Sequence, residues 1–177
     1  VELGAALRRM APVAGSTVDA RVAVLFDWAS QWACEQEGHP SMAMQPMEIA
    51  RRAHHGFTSA GVTCDVVPSS TDLSDYDVIV VPALYLCSDE TAARIADAAD
   101  GGAQVLVTAF SGIADEDDHV RLGGYPGAFR DLLGVRVEEF FPLADGETLT
   151  LDDETLGEIW SEYLTASADV DVLARHI

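Results

Sequence analysis

Lysine is absent from this sequence of 177 residues; all ten basic side chains are arginines. That excludes chemistry built on an amine side chain, such as Schiff-base formation or a phosphate-gripping P-loop. Positive charge is scarce altogether. Thirty acidic residues outweigh the ten basic ones, and the formal net charge is −20. Nucleic acid and anionic membrane surfaces are therefore excluded as partners, because phosphate recognition needs clustered cations. Cysteine is scarce as well. Three are too few for a disulfide framework, and the odd number leaves at least one unpaired. Cys64 and Cys87 sit among apolar neighbours that suggest burial, and all three thiols are expected to be reduced, as in a cytoplasmic protein. No apolar run reaches the roughly 18 residues of a membrane span. The first residues lack the cationic-then-apolar order of a signal peptide. No Gly-x-Gly-x-x-Gly follows a strand candidate, and no cofactor is expected. The sequence does not start with Met and is expected to be a piece of something longer.

What is present suits a packed core. Apolar residues make up 49% of the chain, and mean hydropathy is +0.12. The length fits one domain and falls short of the roughly 250 residues of a (β/α)₈ barrel. Leu3, Leu7 and Met10 recur at helical spacing, which predicts a short amphipathic helix before Pro12. Residues 21–26, 62–67, 77–83 and 104–108 are apolar runs of the kind buried on both faces of a parallel sheet. Pro46 opens a helix predicted to run to Ala60 with Gly61 as its cap, and residues 28–45 read as a polar, Met-rich connection. Ser88 reads as the N-cap of a second helix ending at Gly101-Gly102. The alternation gives a three-layer α/β/α sandwich with a mostly parallel sheet. A short helix is expected in 127–133, an edge strand in 135–141, and further strands in 148–151 and 170–173. Residues 1–20 are expected to be a linker helix and 21–177 a single α/β domain, cut short at its C-terminal end.

Ligands of such sheets bind beyond the carboxyl ends of the strands, so the strand exits hold the candidate chemistry. Cys87 lies between a strand and a helix, where a nucleophile would gain from the helix N-terminus. Its flanks carry no glycine for a sharp elbow, and Asp89 opposes a thiolate, so a buried structural thiol is the better reading. Ser111, with His119 as its nearest base, is a candidate dyad against a plain loop-capping serine. The acidic run Asp115–Asp118 lacks calcium-loop spacing, and no metal is expected. Trp28 and Trp32, just past the first strand, suit either a core lid or an interface hot spot.

Three strings carry a resemblance: Arg21-Val-Ala-Val-Leu-Phe-Asp-Trp28, Val80-Val-Pro-Ala-Leu-Tyr-Leu86, and the long idiosyncratic stretch from Phe110 through Tyr125-Pro-Gly127 to Glu139. Together they resemble the trimerisation domain of family 42 glycoside hydrolases, the β-galactosidases, over residues 2–143. The resemblance implies a fold similar to class I glutamine amidotransferases (a flavodoxin-like sheet) without their activity. It implies a non-catalytic module that joins three copies, as a homotrimer, within an enzyme hydrolysing terminal β-D-galactosides. The two catalytic glutamates belong to a barrel outside this chain, so no catalytic residue is assigned here, and galactoside is met only through that barrel. The subunit-interface or neighbour-cleft candidates are Trp28, Trp32, Phe110, His119, Arg121 and Tyr125, with Arg121 expected to pair with an acid across the contact. Ala29 stands where the family commonly has an acidic residue and Gln31 where it often has Trp, and Met42, Met44 and Met47 thicken the following loop. The alternatives are an amidotransferase-like hydrolase using Cys87 or Ser111, and a sugar-binding module at the strand exits.

Overall fold

Four short apolar runs, Val22–Leu25 (β1), Cys64–Val67 (β2), Val78–Val81 (β3) and Gln104–Val107 (β4), lie side by side in the order β2-β1-β3-β4. All three pairings are parallel, with Val22 in register with both Cys64 and Val78. The computed structural model describes residues 2–177. The central strands β1 and β3 are almost wholly buried, as their unbroken valine-rich composition requires.

Helix Pro46–Ser59 (α3) joins β1 to β2, and helix Asp89–Asp100 (α4) joins β3 to β4. They cover opposite faces. Ala50, Ala53 and Phe57 of α3 pack on Val22, Val24 and Val80. Ile95, Ala92 and Ala98 of α4 pack with Leu25, Ile79 and Val81, where Leu73 and Phe129 complete the layer. Removing Ile79 or Ile95 to alanine would cost about 2–5 kcal/mol. Both helices start and stop as their sequences dictate. The Ser88 hydroxyl accepts from the Thr91 N–H and caps α4. At the end of α3, Val62 N–H reaches Phe57 C=O and Gly61 N–H reaches Thr58 C=O, with Gly61 at φ +77°, the Schellman arrangement that favours glycine.

Three expectations are corrected. The 28–45 connection contains a helix, Trp28–Cys34 (α2). The 135–141 run is Val135–Pro142 (β5), which pairs antiparallel with Trp160–Ala166 (β8) in a separate two-stranded sheet instead of edging the main one. Residues 170–173 form no strand; a hairpin of Thr148–Thr150 (β6) and Leu156–Glu158 (β7) precedes them. The short helix Arg130–Leu133 (α5) is where expected, ended by Gly134 in the left-handed region. Helix Glu2–Arg9 (α1) also forms as expected, with its apolar face, Leu3, Leu7 and then Met10, exposed. The first residue of the expected linker, Val1, lies outside the described residues.

Candidate functional site

The strand order reverses between β1 and β3, the place where such sheets present ligand or partner contacts. Two loops leave this end and are stitched together by buried polar atoms. Beyond β3, Ala83 takes φ +45°; its N–H donates to Thr108 Oγ1 at 2.8 Å. Ser111, fully buried, donates its hydroxyl to Val81 C=O at 3.1 Å and accepts from Leu84 N–H at 3.2 Å. Gly112 N–H then donates to Leu84 C=O, and Cys87 N–H to Ala114 C=O. Ser30 on α2 accepts from Leu86 N–H at 3.0 Å. Buried Gln31 ties α2 to the start of α3, accepting from Met47 N–H and donating to Gln45 and Glu35.

This geometry answers the candidate chemistry. The Cys87 thiol is 1% exposed, and burial pushes it up to about 12, against which Arg121 acts only partially. Burial likewise pushes Cys34 up to about 12. Neither is a thiolate nucleophile near neutral pH. Ser111 spends its hydroxyl on two backbone groups, while exposed His119 faces Asp115 at 3.3 Å. The Ser111–His119 dyad does not form. Asp115 also accepts the N–H groups of Asp117 and His119, and its carboxyl is lowered chiefly by the latter. The acidic run is thus a self-bonded turn, and no group of His, Cys, Asp and Glu suited to a metal occurs among the described residues.

The interface candidates divide into two groups. Trp28 and Trp32, one turn apart on α2, are 56% and 60% exposed, stacked with centroids 6.0 Å apart, and Phe26 meets Trp28 edge-on. Phe110, at φ +67°, is instead buried, stacked on Tyr85 at 5.3 Å and edge-on to Trp160. Tyr125 is half-buried beside Phe140. Arg121 turns inward: it pairs with Asp89 at 2.7 Å and donates to Cys87 C=O at 2.7 Å, so its acidic partner lies in its own chain.

The sequence reading missed a cavity of about 370 Å³ beside these residues. The β5–β8 ribbon carries Phe140, Trp160 and Glu162 over the strand exits, where they meet His39, Tyr85, Phe110 and Tyr125. Phe140 and Trp160 stack at 5.2 Å, and the Trp160 indole N–H donates to Glu162 at 2.8 Å. The His39 ring packs edge-on against Tyr85 and holds Ala33 C=O at 2.8 Å.

A doubly wound α/β sandwich with buried thiols, a backbone-bound serine and exposed tryptophans at its strand exits defines a protein of the open-sheet α/β class. The family profile of the β-galactosidase trimerisation domain matches residues 20–176, and the chain belongs to that family. It is 53% identical to a β-galactosidase of an Arthrobacter species over 93% of its length, and 38% identical to β-galactosidase BbgII of Bifidobacterium bifidum over 99%. It covers 24% and 27% of those two proteins, so it spans about a quarter of the length of the relatives it matches. Among solved structures, the β-galactosidase of Bacillus circulans sp. alkalophilus superposes with a TM-score of 0.92 at 29% identity, over 99% of this chain and 27% of that one. The enzyme of the haloarchaeon Halorubrum lacusprofundi gives 0.77 at 32% identity, over 91% and 24%. No helix among the described residues is long and apolar enough to cross a membrane.

Proposed function

We propose that the chain is the self-association module of a β-galactosidase, holding three copies of the parent enzyme in a cytoplasmic homotrimer while hydrolysis of terminal β-D-galactosides takes place on another module. In this reading residues 1–20 link to the catalytic module and 21–177 form the association domain, related in fold to class I glutamine amidotransferases. The observation that carries the proposal is the family match over residues 20–176. The stacked, half-exposed Trp28–Trp32 pair supports it, because tryptophans left in water at a sheet's functional end gain most when a partner covers them. A cyclic trimer needs two different patches that meet head to tail. The Trp28–Trp32 helix is one; the 110–127 loop, with His119 exposed on it, is the other.

Charge opposes this assembly. Three copies at −20 each bring together about −60, and salt screens that repulsion over about 10 Å at 0.1 M. Sedimentation velocity of the isolated chain should therefore show weak association that strengthens as salt rises, and Trp28→Ala with Trp32→Ala should abolish it. A stable trimer that dissociates on adding salt overturns the proposal.

A further inference from the structure

We propose that the aromatic cavity at the strand exits is a binding site for an organic cation of the guanidinium or quaternary-ammonium class. Its wall is made of ring residues from five places along the chain: His39, Tyr85, Phe110, Tyr125, and Phe140 with Trp160 on the β5–β8 ribbon. The rings form two stacked pairs joined by the edge contact of Phe110 with Trp160 at 5.1 Å. Beside neutral polar groups (the Gln36 amide and the tyrosine hydroxyls) and the His39 ring, the cavity carries three carboxylates, Glu37, Asp118 and Glu162, and no Arg lines it. Aromatic faces carry negative electrostatic potential, and in a partly desolvated cavity with like-signed carboxylates they favour a cation over a neutral guest of the same shape.

The carboxylates are not spent on cations of the chain itself. Glu162 accepts only the Trp160 indole, and no ion pair is formed by Glu37, Asp118 or Glu162 among the described residues. Burial raises the Glu162 carboxyl, with the indole only partly offsetting it, so a guest cation would relieve a charge the fold leaves under-compensated. Tyr85 is raised too, by burial first and then by Asp118, which places that carboxylate's field inside the cavity. A volume of about 370 Å³ admits a methylguanidinium or choline headgroup with water. The site does not depend on the assembly reading. Two sources present this chemistry: a free small cation, and an arginine side chain of a second copy.

The test follows the Trp160 indole N–H by NMR in the 177-residue chain, with the Trp28 and Trp32 signals as internal controls. Methylguanidinium and choline should shift Trp160 in a saturable way. Their neutral counterparts, methylurea and 3,3-dimethylbutanol, should bind at least about tenfold more weakly. Glu162→Gln keeps an acceptor for the indole and removes the charge, and it should weaken cation binding about tenfold at a melting temperature no lower than that of the unsubstituted chain; Asp118→Asn serves as the second variant. Equal response to cation and neutral counterpart, no response to either cation, or a response to galactose alone overturns the proposal. Sedimentation in the presence of methylguanidinium separates the sources. Weakened self-association assigns the site to a neighbour's arginine, and unchanged association with binding intact assigns it to a free cation.

Discussion

Arg121 clamps the 110–127 loop to the mouth of α4: one guanidinium nitrogen lies 2.7 Å from Asp89 and another donates to the Cys87 carbonyl at 2.7 Å. The two contacts are unequal. Asp89 is an exposed carboxylate, 92% accessible, and an ion pair with it is worth little after solvent screening. The Cys87 carbonyl belongs to a buried residue. Arg121→Ala should therefore cost about 1–3 kcal/mol and Asp89→Asn under about 1 kcal/mol. Denaturant unfolding of both variants checks the order, and equal costs would show that the surface pair dominates.

Ser111 holds two crossing loops through one hydroxyl. Ser111→Ala leaves the Leu84 N–H and one acceptor site on Val81 C=O without a partner in a site closed to water. The expected loss is about 1–3 kcal/mol. If the proposed β-galactosidase reading holds, the same substitution in the full-length protein should leave turnover of a galactoside intact at temperatures where the fold survives, because this hydroxyl is bonded to backbone groups.

Gly112 and Gly146 separate backbone strain from crowding. Both have positive φ, +65° and +77°. A methyl at Gly112 would lie 2.8 Å from the Phe129 ring and 2.9 Å from the Ala128 side chain, whereas a methyl at Gly146 meets nothing within 4 Å. Gly146→Ala should cost about 1–2 kcal/mol from the left-handed backbone alone. Gly112→Ala should cost that and a further overpacking penalty of about 1–3 kcal/mol. Melting temperatures of the pair measure the difference directly.

The main sheet was legible because β1 to β4 are apolar runs, and α3 and α4 because Pro46, Gly61 and Ser88 punctuate them where backbone chemistry requires it. Helix α2 was hidden by an inverted pattern. It turns Ser30 and Gln31 inward and Trp28 and Trp32 outward, so hydrophobic periodicity points the wrong way. Its polar residues face in because they satisfy the Leu86 and Met47 backbone N–H groups, a demand visible only in three dimensions. The aromatic cavity was hidden for a related reason. Its rings come from residues 39 to 160, and no spacing along the chain joins them. The Arg121–Asp89 pair was hidden as well, because 32 residues separate the two along the chain and only the fold brings them together.

The buried thiols make the fold sensitive to base. Cys34 and Cys87 ordinarily titrate near 9 and are pushed up to about 12 by burial. A group that keeps its proton in the fold and loses it in the unfolded chain binds more protons when folded across that window. Stability must then fall as pH rises from about 9 to about 12, with a limiting slope of about 1.4 kcal/mol per pH unit for each thiol. Tyr85, raised in the same direction, steepens the decline above its ordinary value of 10. Urea unfolding between about pH 8 and pH 11 should show this loss, and Cys34→Ala with Cys87→Ala should flatten it without removing the tyrosine share. The same burial makes native-state alkylation slow at neutral pH. Rapid labelling of Cys87 in the folded chain would mean that the strand exit opens, and with it the seat on which Arg121 holds the 110–127 loop.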